Sequence, residues 1–190
     1  MVKESSLDLT HKFLIALPGM GDHRFEKSVI LICHHDADGA MGLIINKPKG
    51  KLKLADMLSD IGIDGDIKVP NSNVIDGGPV DIDRGFVLHS DDMTSEEKSL
   101  TLKHGICLSS SRDALASLVT DKAPNKALLA IGYAGWGGGQ IEQEIQANAW
   151  MVAESDPDIV FNSDHHNKWE QAIRSLGIDP AMISSFGGQA

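Results

Sequence analysis

Uninterrupted apolar runs are the first feature of the chain to indicate structure. Residues 13–17, 29–33 and 127–131 are apolar almost throughout, and residues 42–45 form a shorter fourth run. Runs of this length that are rich in Ile, Val and Leu and end near Gly or Pro are typical of strands covered on both faces. We therefore expect these four segments to lie in a sheet that is sandwiched or strongly coiled.

A polar turn separates the second run from the fourth. It ends in Asp38 and Gly39, and glycine tolerates the positive φ that a hairpin turn needs. The pattern predicts an antiparallel hairpin of residues 28–34 and 40–46, joined by a loop of about four residues. A local antiparallel pair argues against a purely parallel sheet.

Shorter patterns complete the prediction. Further strands are expected at residues 73–76, 85–89, 106–109 and 150–153. Helices are expected at residues 54–61, from Thr94 to before Leu102, from Ser111 to before Pro124 and at residues 167–176, with a final turn at Asp179 and Pro180. These elements combine several helices with a sheet that contains a β-hairpin and is not purely parallel. Since no linker is visible, residues 1–190 are predicted to form a single domain, with residues 47–73 as a possible excursion from the main sheet.

The charge balance narrows the classes of function. The 190 residues carry 17 Lys plus Arg against 27 Asp plus Glu, which gives a net charge of −10. A protein that neutralises DNA phosphates needs a basic face, and aromatic residues, at 5%, offer little for stacking on bases. Direct nucleic-acid binding is therefore disfavoured.

The chain carries no pattern typical of export or of membrane insertion. Its first ten residues mix charges with single leucines, unlike a secretory signal, and no apolar run approaches the roughly 18 residues of a membrane span. We predict a cytoplasmic protein without membrane contact. Cys33 and Cys107 lie in apolar segments and are predicted to be buried, reduced thiols.

The glycine-rich segment from Gly135 to Gln140 invites a nucleotide-binding interpretation. It lacks the dinucleotide pattern, because Gln140 occupies the third glycine position. Glu142 and Glu144 at the start of the following helix would also repel a phosphate. We predict a structural strand-to-helix turn, with a pocket for a neutral or cationic group as the alternative.

Other chemical motifs are weak. No P-loop and no serine nucleophile elbow occurs, and Cys33 and His34 are strand neighbours that point to opposite faces. His89 and Asp91 together with His165 or His166 imitate a two-histidine, one-carboxylate iron site. His165 and His166 fall in a polar loop, however, where solvated histidines are ordinary. We predict no metal and no cofactor.

Four blocks of sequence carry a resemblance to one bacterial family. In chain order they are Leu17 to Met20 with Phe25; His34 with Gly39 to Pro48; Gly77 to Val80 with Arg84 to His89; and Gly132 to Trp136 with Gln140, Glu142, Glu144, Asn148 and Trp150. In this combination they resemble the AlgH/YqgE family. The resemblance implies an α+β fold of coiled, bifurcated mixed β-sheets with peripheral helices. Members are often labelled transcriptional regulators, and the resemblance brings no catalytic residues to this chain.

The unusual residues concentrate in loops expected at strand ends, where binding sites tend to lie. The candidate residues for binding a ligand or partner are Asn46, Gly77, Gly78, His89, Trp136 and Gln140. Structural roles are the alternative, with Asn46 and Gln140 as backbone caps and Trp136 in the core.

The first functional hypothesis is a non-enzymatic cytosolic binding or regulatory protein that acts through a protein or small-molecule partner. The alternatives are an enzyme that uses His89 and Asp91 as acid and base, and a regulator that binds DNA directly.

Overall fold

The computed structural model describes residues 7–93 and 99–186. The strands in these residues are β1 (Lys12–Ala16), β2 (Val29–Asp36), β3 (Gly39–Ile44), β4 (Pro48–Lys53), β5 (Asn73–Asp76), β6 (Val80–Ser90), β7 (Leu100–Thr101), β8 (Ile106–Ser109), β9 (Ala127–Gly137) and β10 (Trp150–Glu154). The helices are α1 (Leu54–Asp60), α2 (Arg112–Ser117), α3 (Gln140–Gln146), α4 (Pro157–Val160), α5 (Lys168–Ser175) and α6 (Pro180–Phe186).

The strands form one curled, mixed sheet with helices at its periphery. The strand order is β10-β1-β2-β3-β9-β6-β8-β7, with β4 and β5 off this path. β5 runs parallel to β9, whereas the neighbours along the main path are antiparallel. The α+β fold predicted from the sequence is therefore confirmed.

The sheet divides along β9. Residues 129–131 pair with β5 on one edge and with β6 on the other, whereas residues 134–137 pair with β3. Gly132 lies between these two parts at φ 75°, and a Cβ added there would lie 2.4 Å from the carbonyl oxygen of Gly78. Glycine is required here because the crossing strands leave no room for a side chain.

Three apolar clusters hold the helices against the sheet. α5 packs Trp169 and Ile173 into the largest cluster, and α3 packs Ile141 into a second. α1 and α2 contribute Leu58 and Leu115 to the third. Burial of these apolar faces is the main driving force for docking the helices.

Capping signals in the sequence locate two helix boundaries correctly. Ser111 Oγ accepts a hydrogen bond from the backbone N–H of Ala114 at 3.1 Å, so α2 begins where the sequence predicts. Gly177 takes φ 75° immediately after Leu176, the C-cap of α5. None of the helices in the described residues is long and apolar enough to cross a membrane.

The hairpin is present, but its turn is tighter than predicted. β2 and β3 pair as far as Asp36 and Gly39, which leaves Ala37 and Asp38 as the loop. The Oδ1 atom of Asp36 accepts hydrogen bonds from the N–H groups of Asp38 and Gly39 at 2.9 and 3.2 Å. These side-chain bonds close the turn early, so the predicted loop of about four residues is wrong.

The glycine-rich segment is a strand for half of its length. β9 continues to Gly137, and Trp136 pairs with Ala40 of β3. Gly139 at φ 75° then leads into α3. The predicted turn is therefore confined to residues 138 and 139, because β3 supplies a hydrogen-bonding edge for the preceding residues. β6 likewise begins at Val80, earlier than the predicted residue 85.

Of the helix predicted to begin at Thr94, the part that lies within the described residues is not helical. Residues 94–98 lie outside the described residues, whereas Leu100 and Thr101, its predicted end, pair with β8 as β7. At Leu100 and Thr101, the edge of β8 supplies the hydrogen-bonding partner that makes these two residues extended. In the segment of residues 47–73, β4 pairs with β5, and α1 buries Leu54 and Leu58.

Candidate functional site

A groove of about 1010 Å³ lies along the dividing sheet, between the ends of β2 and β3 and the strands β9, β6 and β8. Apolar side chains that line it are Met41, Val80, Phe86, Leu100, Leu108 and Tyr133. Polar lining comes from His34, Asp36, Asp38, Arg84 and the serines at positions 109, 110 and 111. An apolar concavity with a few polar groups is the usual form of a small-molecule site.

A bulge in β6 brings Arg84 to the groove. Val80 pairs with Tyr133 and Gly85 with Ile131, so residues 81–84 loop out opposite Gly132 alone. Beyond the bulge, residues 85–89 pair with β9 without a further shift in register. The guanidinium carbon of Arg84 lies 5.1 Å from the centroid of the Phe86 ring, a cation–π contact.

The aromatic floor is held by neighbours on different strands. The rings of Phe86 and Tyr133 meet edge to face, with centroids 6.0 Å apart at 79°. On the serine side, Nη2 of Arg84 donates a hydrogen bond to Ser110 Oγ at 3.2 Å. Ser111 Oγ accepts the α2 capping bond from Ala114. Two hydroxyl groups and a guanidinium therefore gather at this end of the groove.

The opposite end of the groove carries two carboxylates, Asp36 and Asp38, and that of Asp36 is already engaged. Asp36 Oδ2 lies 2.8 Å from Nε2 of His34, and Oδ1 accepts the two turn N–H bonds. The hydrogen bond from the backbone of Asp38, followed by the bond from His34, lowers the pKa of Asp36 below its ordinary value.

A second recess of about 430 Å³ adjoins the groove and shares Val80, Gly135 and Trp136 with it. The indole N–H groups of Trp136 and Trp150 both donate to Glu144 Oε2, at 2.9 and 2.8 Å. Gln140 Nε2 donates to Glu144 Oε1 at 2.9 Å. A carboxylate that is saturated in this way fixes the two indoles, so it makes the wall of the recess rigid.

Two of the six residues predicted for binding line these cavities. Trp136 lines both the groove and the smaller recess, and Gln140 lines the recess. The sequence analysis missed Arg84, Phe86 and Tyr133. One signal could have found the first two, because residues i and i+2 of a strand share a face, which places Arg84 and Phe86 together.

The other predicted residues have structural partners. Asn46 Oδ1 accepts from the backbone N–H of Val29 and its Nδ2 donates to the carbonyl oxygen of Lys27, both at 2.8 Å. It is thus a backbone cap, one of the two roles that the sequence left open. Gly77 and Gly78 press against β9, where an added Cβ would lie 2.3 and 2.2 Å from backbone atoms of Gly132 and Tyr133 respectively.

His89 is buried in β6 and bonds to serine residues. Its Nδ1 donates to the Ser90 carbonyl oxygen at 2.8 Å, and Nε2 lies 3.0 Å from Ser109 Oγ and 3.2 Å from Ser99 Oγ. Burial lowers the pKa of His89 below its ordinary value. Because a carbonyl only accepts, the neutral ring carries its proton on Nδ1, and Nε2 is left to accept from a hydroxyl.

The residues considered for a metal site are not brought together. Within residues 7–93 and 99–186, no group of three or more His, Cys, Asp or Glu side chains could hold a metal ion. His165 is 3% exposed, so the expectation of a solvated histidine there is wrong. Burial, and then the positive charge of Lys168, lower the pKa of His165 to about 4. Cys33 and Cys107 are free and buried, as predicted.

Two sets of comparisons place the sequence among known proteins. A family model described as AlgH-like matches residues 13–181. A UPF0301 protein of Ruegeria pomeroyi is 46% identical over 185 residues, covering 97% of this chain and 100% of that protein. A UPF0301 protein of Caulobacter vibrioides is 42% identical over 183 residues, covering 96% of this chain and 94% of that protein.

Solved structures agree with the sequence matches. The solution structure of the AlgH protein of Pseudomonas aeruginosa is similar with a TM-score of 0.76 at 36% identity, over 100% of both chains. The crystal structure of a Corynebacterium diphtheriae protein reaches a TM-score of 0.75 at 19% identity, over 96% of this chain and 93% of that chain, which shows a common fold. The resemblance noted in the sequence is confirmed, and the chain belongs to the AlgH-like family.

Proposed function

We propose that this protein binds a small ligand in the groove and acts as a non-enzymatic, cytosolic regulatory protein. The observation that carries the proposal is the groove itself, about 1010 Å³ in volume with the aromatic floor of Phe86 and Tyr133. Sites for small molecules are concavities of this size, whereas protein partners usually meet flatter and larger surfaces. The groove therefore favours a small molecule over a protein as the primary ligand.

The charged groups of the groove suit recognition better than proton transfer. Asp36 accepts bonds from His34 and from the turn, with its pKa lowered, and the guanidinium of an arginine donates hydrogen bonds but accepts none. A general acid or base needs a pKa near the working pH. The buried free thiols of Cys33 and Cys107 fit a reducing compartment such as the cytosol.

Direct DNA binding receives no support and is not proposed. A recognition helix needs an exposed face that reaches the major groove. α2 has 6 residues, and α5, with 8 residues, buries Lys168 and Trp169. The net charge of −10 opposes binding to phosphates as well.

The groove proposal predicts a specific loss of binding when its rim becomes charged. Leu100 lines the groove and is 51% exposed, so Leu100→Glu should leave the fold intact. Titration with the neutral apolar dye N-phenyl-1-naphthylamine, followed by its fluorescence, should show an affinity for the variant that is weaker by about tenfold, since a carboxylate beside the dye costs roughly 1.4 kcal/mol.

Ile61→Glu is the matched control for this titration. Ile61 is also an exposed apolar residue, at 36%, but it follows α1 and does not line the groove. We expect the control to bind the dye as the wild type does. Equal losses in the two variants, or no dye binding by the wild type, would contradict the proposal.

A second candidate function, an enzyme that uses His89, is favoured by one observation. Nε2 of the neutral imidazole faces Ser109 Oγ at 3.0 Å, while the Ser90 carbonyl fixes the ring through Nδ1. This is the arrangement of a serine nucleophile and its base, with a backbone carbonyl in place of a carboxylate. Asp91, the predicted partner, takes no part in the hydrogen bonds described for His89.

A fluorophosphonate probe tests this second candidate. Attack by Ser109 Oγ would form a phosphorus–oxygen bond, expel fluoride and pass the serine proton to Nε2 of His89. Peptide mass spectrometry should then find the adduct on Ser109 in the wild type and in a Ser110→Ala control, but not in His89→Gln. An unlabelled wild type would rule out this enzyme.

A further inference from the structure

Arg84 has more hydrogen-bonding capacity than its surroundings use. Its guanidinium offers five N–H donors. One of them donates to Ser110 Oγ, and the guanidinium lies over the ring of Phe86. Within the part of the chain that the structure describes, no carboxylate lies within salt-bridge distance of Arg84. Arg84 is exposed, so its remaining N–H donors are accessible to a ligand from solvent.

The carboxylates nearest in sequence and in the groove do not neutralise Arg84. Asp81 and Asp83 lie on the same bulge and are exposed, but neither forms an ion pair with it among the described residues. Asp36, on the other side of the groove, is hydrogen-bonded to His34 and to its own turn. Asp38 also lines the groove, and within the described residues it forms no ion pair with Arg84. The unpaired charge at the Arg84 end of the groove is therefore positive, so this end suits a negatively charged group.

The serine hydroxyls beside Arg84 add donors of the same kind. Ser110 Oγ accepts from Arg84, and Ser111 Oγ accepts from the Ala114 N–H. A hydroxyl whose oxygen accepts still has its own proton to donate. The Arg84 end of the groove thus presents a planar fork of N–H groups and two O–H groups, which match the oxygens of a carboxylate, sulfonate or phosphate.

The remaining lining of the groove suits the apolar part of a ligand. Phe86 and Tyr133 form its floor by edge-to-face contact, and Met41 and Leu108 line it beside them. From this combination we propose that the ligand is an amphipathic organic anion, with its oxyanion bound by Arg84 and Ser110 and its flat apolar part on Phe86 and Tyr133. This inference rests on the proposed binding function and specifies the class of its ligand.

Two dyes that differ by one charged group test the inference. They are 8-anilinonaphthalene-1-sulfonate and the neutral N-phenyl-1-naphthylamine, which have the same aromatic skeleton. The wild type should bind the sulfonate more tightly by about tenfold, because charge-assisted bonds to Arg84 form only with it. Arg84→Gln should remove that preference, measured as the ratio of the two dye affinities within one variant, and Arg84→Lys should restore part of it.

Arg174→Gln is the matched control, since Arg174 lies on α5 and pairs with Glu170 at 3.7 Å. It should keep the full preference for the sulfonate. If the wild type binds the neutral dye but shows no preference, or keeps the preference in Arg84→Gln, the anion inference is overturned while ligand binding in the groove stands. If neither dye binds, the binding function fails and the inference fails with it.

Discussion

Replacing Gly78 with alanine is expected to lower the free energy of unfolding by more than about 3 kcal/mol. Gly78 has φ 148°, and an added Cβ would lie 2.2 Å from the carbonyl carbon of Tyr133 and 2.4 Å from the nitrogen of Ala134. These are backbone atoms of β9, so no change of rotamer can relieve the contact. The strands would have to separate at the point where the sheet divides.

Gly137→Ala provides the control within β9. Among the described residues, no atom lies within 4 Å of a Cβ added at Gly137, so we expect a change below about 1 kcal/mol. Urea unfolding followed by tryptophan fluorescence measures both variants. Equal urea midpoints for Gly78→Ala and Gly137→Ala would contradict the packing role of Gly78.

Lys168→Met is expected to flatten the pH dependence of stability between pH 7 and 9. Lys168 is fully buried, and its Nζ donates to the carbonyl oxygens of Ile45 and Val160 at 2.9 and 2.7 Å. Burial lowers the pKa of Lys168 from 10.5 to about 7. In the unfolded chain the amine keeps its ordinary pKa, so above pH 7 the unfolded state binds more protons than the folded state.

The sign of the effect follows from that difference in bound protons. The wild type should gain stability as the pH rises from 7, by about 1.4 kcal/mol for each pH unit, and methionine, which cannot be protonated, should abolish this gain. The range ends at pH 9 because burial raises the pKa of Cys33 from 9.0 to about 12, which destabilises the fold at higher pH.

Denaturant unfolding at pH 7, 8 and 9 measures the slope. Lys126→Met is the control, because Lys126 is exposed and pairs with Asp158 at 3.2 Å on the surface. Its slope should equal that of the wild type. An unchanged slope in Lys168→Met would show that the buried amine keeps its proton in the folded protein.

Local signals made much of the fold predictable. β1 and β2 are recognisable from the sequence because their burial requires runs of apolar residues. The start of α2 is recognisable because a hydroxyl side chain at Ser111 caps its first turn. β4 has no such pattern, since its residues are half-buried or exposed and Pro48 begins it. It is a strand because β5 offers a partner, and only the tertiary fold reveals that partner.

The candidate site was harder to predict for the same reason. Trp136 and Gln140 stood out because they belong to one glycine-rich block. Met41, Phe86 and Tyr133 are far apart in the sequence, and the pairing of β9 with β3 and β6 brings them to one groove. The pairing of these distant strands cannot be predicted from one sequence alone.

Chemical-shift mapping tests most directly whether the groove is the ligand site. Nitrogen-15-labelled protein would be titrated with 8-anilinonaphthalene-1-sulfonate and its backbone amide signals followed. We expect the largest saturable shifts at Arg84, Phe86, Ser110, Tyr133 and Gly135, which line the groove. Saturable shifts centred on another surface, or no saturable shifts, would contradict the assignment of the groove as the binding site.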